Sequence, residues 1–208
     1  MTAPERHARV AAVLTLLASS LLAASGLAQS SEFSPAERRQ LLAGELVRRD
    51  GGRTEGRSRL FGGTSWIRVR APIDRVWRTL RDTRVYPRLI PSLERVRVVE
   101  RTEDGAVLQM HHSMGIATAD YYTRMSFDDA EHTVRFELDR SRPSELRSGR
   151  GFMTLTAYRG ETIVAWGMLA DVGAGMIQQL FGPFLNDWML KPPRCLRDEL
   201  EPGRVNEC

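Results

Sequence analysis

Two histidines stand side by side at His111 and His112, with Tyr121 and Thr123 a few residues on. Imidazoles are common metal ligands and common general bases near neutral pH, so this is where chemistry would first be sought. Residues 106–114 read as a strand, however, and adjacent strand residues point to opposite faces, so one ion cannot readily take both rings. No Cys/His or acidic cluster has ligand spacing, and no metal site is expected. The sequence has no Gly-x-Ser-x-Gly elbow, no phosphate loop and no His-Glu-x-x-His helix. Glu137 and Asp139 share the face of their segment that carries Arg135, where solvation is the default role. Cys195 and Cys208 lie at the C-terminal end, far from a plausible nucleophile position. A single acid or base working inside a cavity, His112 or Tyr121, is the one catalytic option left. No catalytic residue and no cofactor is assigned.

The chain reads as exported. Arg6 and Arg9 precede an uncharged apolar run over 10–24, and Gly26 and Ala28 offer small residues before a cleavage site. This pattern predicts a secretory signal peptide over 1–28, with an uncleaved membrane anchor as the alternative. A periplasmic or secreted product follows. In that setting an even cysteine count predicts a Cys195–Cys208 disulfide, against a buried Cys195 and a free terminal thiol. A loop of ~15 residues is worth about 3 kcal/mol in the chain-entropy model, but here it should constrain the tail rather than the core. The net charge of +4 comes almost wholly from arginines, Lys191 being the only lysine. Arg68, Arg70, Arg95, Arg97 and Arg135 sit at alternate strand positions rather than in one patch with interleaved aromatics. Nucleic acid is therefore not an expected partner.

The elements that would position His112 and its neighbours follow from periodicity. Ser34-Pro35-Ala36-Glu37 is a capping box opening a helix that Gly44 ends, and it follows a linker beginning at 29. Residues 45–49 read as a short strand and 50–58 as a mobile glycine- and arginine-rich loop. In 66–71 Ile67, Val69 and Ala71 alternate with arginines, as in a half-buried strand. Pro72 begins a helix carrying Ile73, Val76, Trp77 and Leu80 at helical spacing. Pro87 and Pro91 bracket one further turn, with Tyr86 held extended by the proline after it. Strands then follow over 93–101, 106–114, 120–127, 132–140, 151–158 and 162–171, joined by turns short enough to demand antiparallel pairing. A long amphipathic helix closes the chain, with Ile177, Leu180, Phe181, Phe184, Leu185, Trp188 and Met189 on one side. Gly182-Pro183 should kink it, and Pro192-Pro193 should break or restart it.

This order, with APIDRVWRTLRD at 71–82, YPRLIP at 86–91 and ERVRVVE at 94–100, resembles the START-like superfamily of lipid-transfer domains, polyketide cyclase/aromatases and pollen-allergen-like proteins. The resemblance spans 41–201, leaving 202–208 as a tail. It implies an α+β helix-grip fold: a curved antiparallel sheet of about seven strands wrapped around a long C-terminal helix, with two short helices after the first long strand. It also implies a ligand cavity between sheet and helix. The quoted motifs mark the fold and not a reaction.

Strand parity supplies walls for such a cavity. Leu108, Met110, His112 and Met114 share one face, as do Tyr121, Thr123, Met125 and Phe127, and then Trp166 and Met168. Phe181 and Leu185 would face them from the helix. Methionines suit surfaces that take varied apolar shapes, and His112, Tyr121 and Thr123 could supply a few placed polar groups. The same residues could equally fill a solid core. The expected partner is an apolar small molecule or lipid, with transient membrane contact. The expected function is its non-catalytic binding or transport. The alternatives are a cyclase/aromatase-like enzyme using the same cavity, or a protein-interaction module whose cavity has collapsed.

Overall fold

The computed structural model describes residues 33–173, 176–201, 203 and 208, excepting the side chains of Met176, Ile177, Gln179, Leu180, Phe181 and Pro183. The expected signal peptide and its cleavage site lie outside the described residues. Pro35–Cys208 forms one compact unit.

Helix α1 (Pro35–Ala43) starts on its proline and stops at Gly44, whose φ of +76° is the left-handed conformation that favours glycine there. Its Glu37 forms a two-pronged ion pair with Arg49 on the first strand, at 2.7 and 2.8 Å. The strands are β1 (Val47–Asp50), β2 (Arg53–Glu55), β3 (Ser58–Val69), β4 (Leu93–Arg101), β5 (Gly105–Met114), β6 (Ala117–Asp128), β7 (Thr133–Leu138), β8 (Ser148–Tyr158) and β9 (Glu161–Asp171). All neighbours pair antiparallel, in the order β1-β3-β9-β8-β7-β6-β5-β4, with β2 folded onto β3. The result is the α+β helix-grip arrangement of a curved sheet and a few helices.

Nine strands replace the seven or so expected. The stretch read as a mobile loop contains β2, whose three residues are all exposed and so leave no apolar alternation to read. β3 begins well before residue 66, hidden in the sequence by Gly62-Gly63. The Gly62 φ is +118°, and a Cβ there would sit 2.0 Å from the Met168 carbonyl oxygen of β9. The glycine is thus what lets β3 lie against β9.

After β3 the chain turns through α2 (Ile73–Arg81), a 3-10 turn (Thr83–Val85) and α3 (Tyr86–Leu89). Val76, Trp77 and Leu80 are the buried face of α2. Asp82 caps the 3-10 turn by accepting from the Arg84 N–H. Tyr86 is helical, with φ −56° and ψ −36°, and not extended. The bias imposed by Pro87 is overcome by local bonding. The Tyr86 N–H bonds the Thr83 carbonyl, and its buried hydroxyl donates to the Leu80 carbonyl at 2.8 Å.

Helix α4 (Met176–Met189) crosses β3 and the inner face of β6, and Pro192 restarts the chain as α5 (Pro192–Leu200). The last carbonyls of a helix have no partner of their own. Here Trp166 Nε1 donates to Met189 O at 2.7 Å and Ser65 Oγ to Leu190 O at 2.8 Å, so the sheet itself caps the helix end. Asn186 accepts from the Gly62 N–H, and Asp187 pairs with Arg48. One expected inward residue is turned out: Phe184 is 57% exposed, while its neighbour Leu185 is buried.

Two apolar clusters result. The larger joins α2, α3, the inner sheet face and the α5 residues Leu196 and Leu200. The smaller joins Leu185 to Phe61, Val172, Leu146 and Met189. Cys195 and Cys208 are bridged, with Cα atoms 5.8 Å apart. Because Leu196 and Leu200 lie inside the bridged loop and in the main core, the disulfide constrains more than a tail.

Candidate functional site

Between the two clusters lies a cavity of about 170 Å³. The alternation of β5, β6 and β9 delivers Met110, His112 and Met114, then Tyr121, Thr123 and Met125, then Trp166 and Met168 to its wall. Leu185 faces them from α4. Leu108 and Phe127 share these faces but lie outside the lining. Leu108 is fully buried in the main core, and the Phe127 ring meets Trp77 edge-on at 6.2 Å, covered by Arg81. The Phe181 side chain lies outside the described residues.

The remaining wall comes from other elements. Leu80, Tyr86, Leu89 and Ile90 of the α2–α3 corner close one end, and Leu146, Val172 and Met189 the other. Val134 and Phe136 of β7 complete the curve. Their inward face was readable from the two-residue period of that strand. Phe136 stacks on Trp166, with centroids 4.8 Å apart, and lies over Gly151, where a Cβ would come within 2.4 Å of its ring. Six methionines, Met110, Met114, Met125, Met153, Met168 and Met189, take part in the lining. Unbranched thioether side chains can change rotamer cheaply, so this wall can adapt to its contents.

Besides Ser92 and Glu137 at its margins, three polar groups on β5 and β6 interrupt the apolar surface. His112 Nε2 lies 2.8 Å from the Tyr121 hydroxyl, with the rings stacked at 5.5 Å. Burial is the main cause that pushes the His112 pKa down to about 4, opposed by a hydrogen bond to the Pro91 backbone. Proline has a carbonyl but no N–H, so the ring nitrogen facing Pro91 carries the proton. The neutral ring then accepts from the Tyr121 hydroxyl at Nε2. Burial also raises the Tyr121 pKa, which keeps the phenol protonated as that donor. The third group is the Thr123 hydroxyl, which has no hydrogen-bond partner among the described residues.

His111 points the other way, to Asp120 at 3.0 Å and Glu94 at 3.8 Å. Among the described residues no group of three or more His, Cys, Asp or Glu is placed to hold a metal ion. Chemically, the cavity can bury a small apolar body, adapt to its shape and offer it one hydroxyl and a neutral histidine–tyrosine pair.

Comparison with known proteins agrees with this geometry. A family model described as polyketide cyclase / dehydrase and lipid transport matches residues 43–192. Among solved structures, the STAR-related lipid transfer protein from Xanthomonas axonopodis is 17% identical, with a TM-score of 0.54 over 75% of this chain and 97% of that one. A START superfamily protein from Mycobacterium smegmatis is 14% identical, with a TM-score of 0.52 over 66% of this chain and 94% of that one. The Zhui aromatase/cyclase from Streptomyces sp. R1128 is 17% identical, with a TM-score of 0.50 over 66% of this chain and 84% of that one. At these identities the likeness is one of fold. No curated protein sequence matches significantly.

Proposed function

Because this chain belongs to the polyketide cyclase / dehydrase and lipid transport family, we propose that it binds an apolar small molecule or the tail of a lipid in the cavity between sheet and α4, without turning it over. The observation that carries this reading is the methionine-rich apolar cavity of about 170 Å³. An apolar cavity of about 150 Å³ takes a molecule the size of benzene. One aromatic ring or a short alkyl segment therefore fits as the walls stand, and a fused-ring body, whether a polyketide or a flat dye such as Nile red, enters by displacing methionine side chains or α4.

The state of His112 supports binding over catalysis. A general base works best with a pKa near the working pH, and this imidazole is held at about 4. It serves better as a fixed hydrogen-bond acceptor. The cyclase reading remains attached to the same pair of residues, since His112 and Tyr121 are the hydrogen-bonded titratable pair in the cavity wall.

We place the protein outside the cytoplasm, in the periplasm or the medium. The Cys195–Cys208 disulfide supports this, since such bridges persist in oxidising compartments. Transient membrane contact belongs to the proposal too. Ile116 is 81% exposed at the tip of the β5–β6 hairpin, whose Met114 lines the cavity.

The test is native mass spectrometry and organic extraction of protein purified from its own compartment, with Nile red as a neutral reporter. A co-purifying apolar molecule, or dye fluorescence that it displaces, is the expected result. Turnover of a polyketide-like substrate, abolished by His112→Gln, would move the assignment to an enzyme. Neither bound molecule nor dye binding would leave a collapsed-cavity interaction module as the better description.

A further inference from the structure

A second hollow, polar and about 710 Å³, opens beside the cavity. The two share Glu137, Leu138 and Gly149 as common wall. The reason lies in the sheet. The β7–β8 ladder ends at the pair Glu137–Arg150, and beyond it the strands part into the connection that carries Arg140 and Arg147. At the parting point Gly149 has no side chain. A Cβ there would meet only that of Ala170, at 3.9 Å, so the space beside it is open.

The charges around this hollow are unbalanced. Arg124 is committed to Asp139 at 3.3 Å, and that carboxylate also accepts from Arg142 and Ser141. Glu55 is paired with Arg53 at 2.6 Å. Among the described residues Arg140, Arg147 and Arg150 make no ion pair; Glu137 is the one uncommitted carboxylate in the lining of the hollow, and Asp171, whose Oδ2 is buried without a hydrogen-bond partner, adjoins Arg147 outside it. A guanidinium offers several N–H donors in a planar fork that matches a carboxylate or phosphate.

We propose that the ligand is an anionic amphiphile, its apolar part in the cavity and its carboxylate or phosphate on Arg140, Arg147 and Arg150, with the connecting atoms passing Gly149. This rests on the cavity being a ligand site and adds the class of ligand that the site selects. Glu137 at the crossing point repels a bare anion, so the apolar part must carry the anchor.

Binding of phenylbutyrate and phenylbutanol, which share a ring and chain and differ in the head, tests this by ligand-observed NMR and calorimetry. The acid should bind wild type at least about tenfold more tightly than the alcohol, as charge-assisted hydrogen bonds require. Arg147→Glu with Arg150→Glu should abolish that preference while the alcohol binds as before. Arg147→Gln with Arg150→Gln should reduce it if the reversed pair proves unstable. Gly149→Val should block both probes, because its side chain enters open space without a backbone clash. Acetate and inorganic phosphate should fail to displace the acid, which separates a tethered head group from a simple anion site. Nile red and phenylbutanol binding with no advantage for the acid would overturn this proposal alone. No binding of any neutral probe would remove the cavity reading and this proposal together.

Discussion

Ala119 sits on β6 directly opposite His112, is 3% exposed and lines the cavity. Ala119→Leu is therefore a direct probe of empty space. Leucine exceeds alanine by roughly 75 Å³ of packed volume, well under the 170 Å³ available. Residual cavity costs about 24 cal/mol per Å³, so filling this part of it can add at most ~1.8 kcal/mol. For a domain of this size that is a rise in melting temperature of roughly 4–7 °C. In a close-packed core the same substitution would cost about 1–3 kcal/mol, so the sign alone separates the cases. Urea melts at pH 7 give the stability, and Nile red titration on the same samples gives the binding. A variant at least as stable as wild type, with weakened dye binding, is expected. A loss of more than ~1 kcal/mol with dye binding unchanged would refute the argument that this space is open and takes the ligand.

Three further outcomes follow from the described contacts. The His112 pKa is about 4 in the fold against 6.5 for the free side chain, so its contribution is complete above pH 6.5 and is lost as pH falls through 4. That contribution is on the order of 3 kcal/mol, and His112→Gln should flatten the pH 4–7 stability profile relative to wild type in paired urea melts. Cys208→Ser should lower stability by up to about 3 kcal/mol and the melting temperature by several degrees, read by calorimetry, because the bridged loop includes core residues of α5. No shift on reduction would restore the view that only the tail is held. Gly151→Ala should destabilise by at least ~2 kcal/mol, since its Cβ would meet Gly167 O at 2.2 Å and the Phe136 ring at 2.4 Å. Near-UV circular dichroism should report the Phe136–Trp166 stack disturbed.

The parts of this molecule that could be read from sequence are those in which one face decides everything. Val134, Phe136 and Leu138 alternate so cleanly with charged residues that their direction needs no structure, and Met110, His112, Tyr121 and Met125 reach the cavity for the same reason. Parity gives a face but not a position along it. Leu108 and Phe127 have the right face at the wrong end, where α2 packs on the sheet and leaves no space. β2 is illegible in the sequence because an exposed strand carries no burial signal. The helical state of Tyr86 is not legible, because the local steric preference before Pro87 is overridden by the Leu80 carbonyl that its hydroxyl finds in the fold. The charged hollow depends on where β7 and β8 separate, and that is a property of register rather than of any residue type.

The division of the interior into two clusters bears on how the molecule opens. Helix α5 shares the main cluster with the sheet and the corner, whereas Leu185 of α4 belongs to the smaller one across the cavity. Polar ties hold the end of α4 to the sheet at Asn186, Asp187 and the carbonyls of Met189 and Leu190. Because the two helices are seated in different clusters, α4 can move while α5 stays in place, with Lys191 between them as the pivot. Protection against amide hydrogen exchange should accordingly be graded along the C-terminal segment. Amides of α4 around Leu185, in the smaller cluster, should exchange through a local opening, and those near Leu196 only when the whole domain unfolds. An occupied cavity should raise the first and leave the second nearly unchanged, so exchange at α4 would report a ligand before its identity is known.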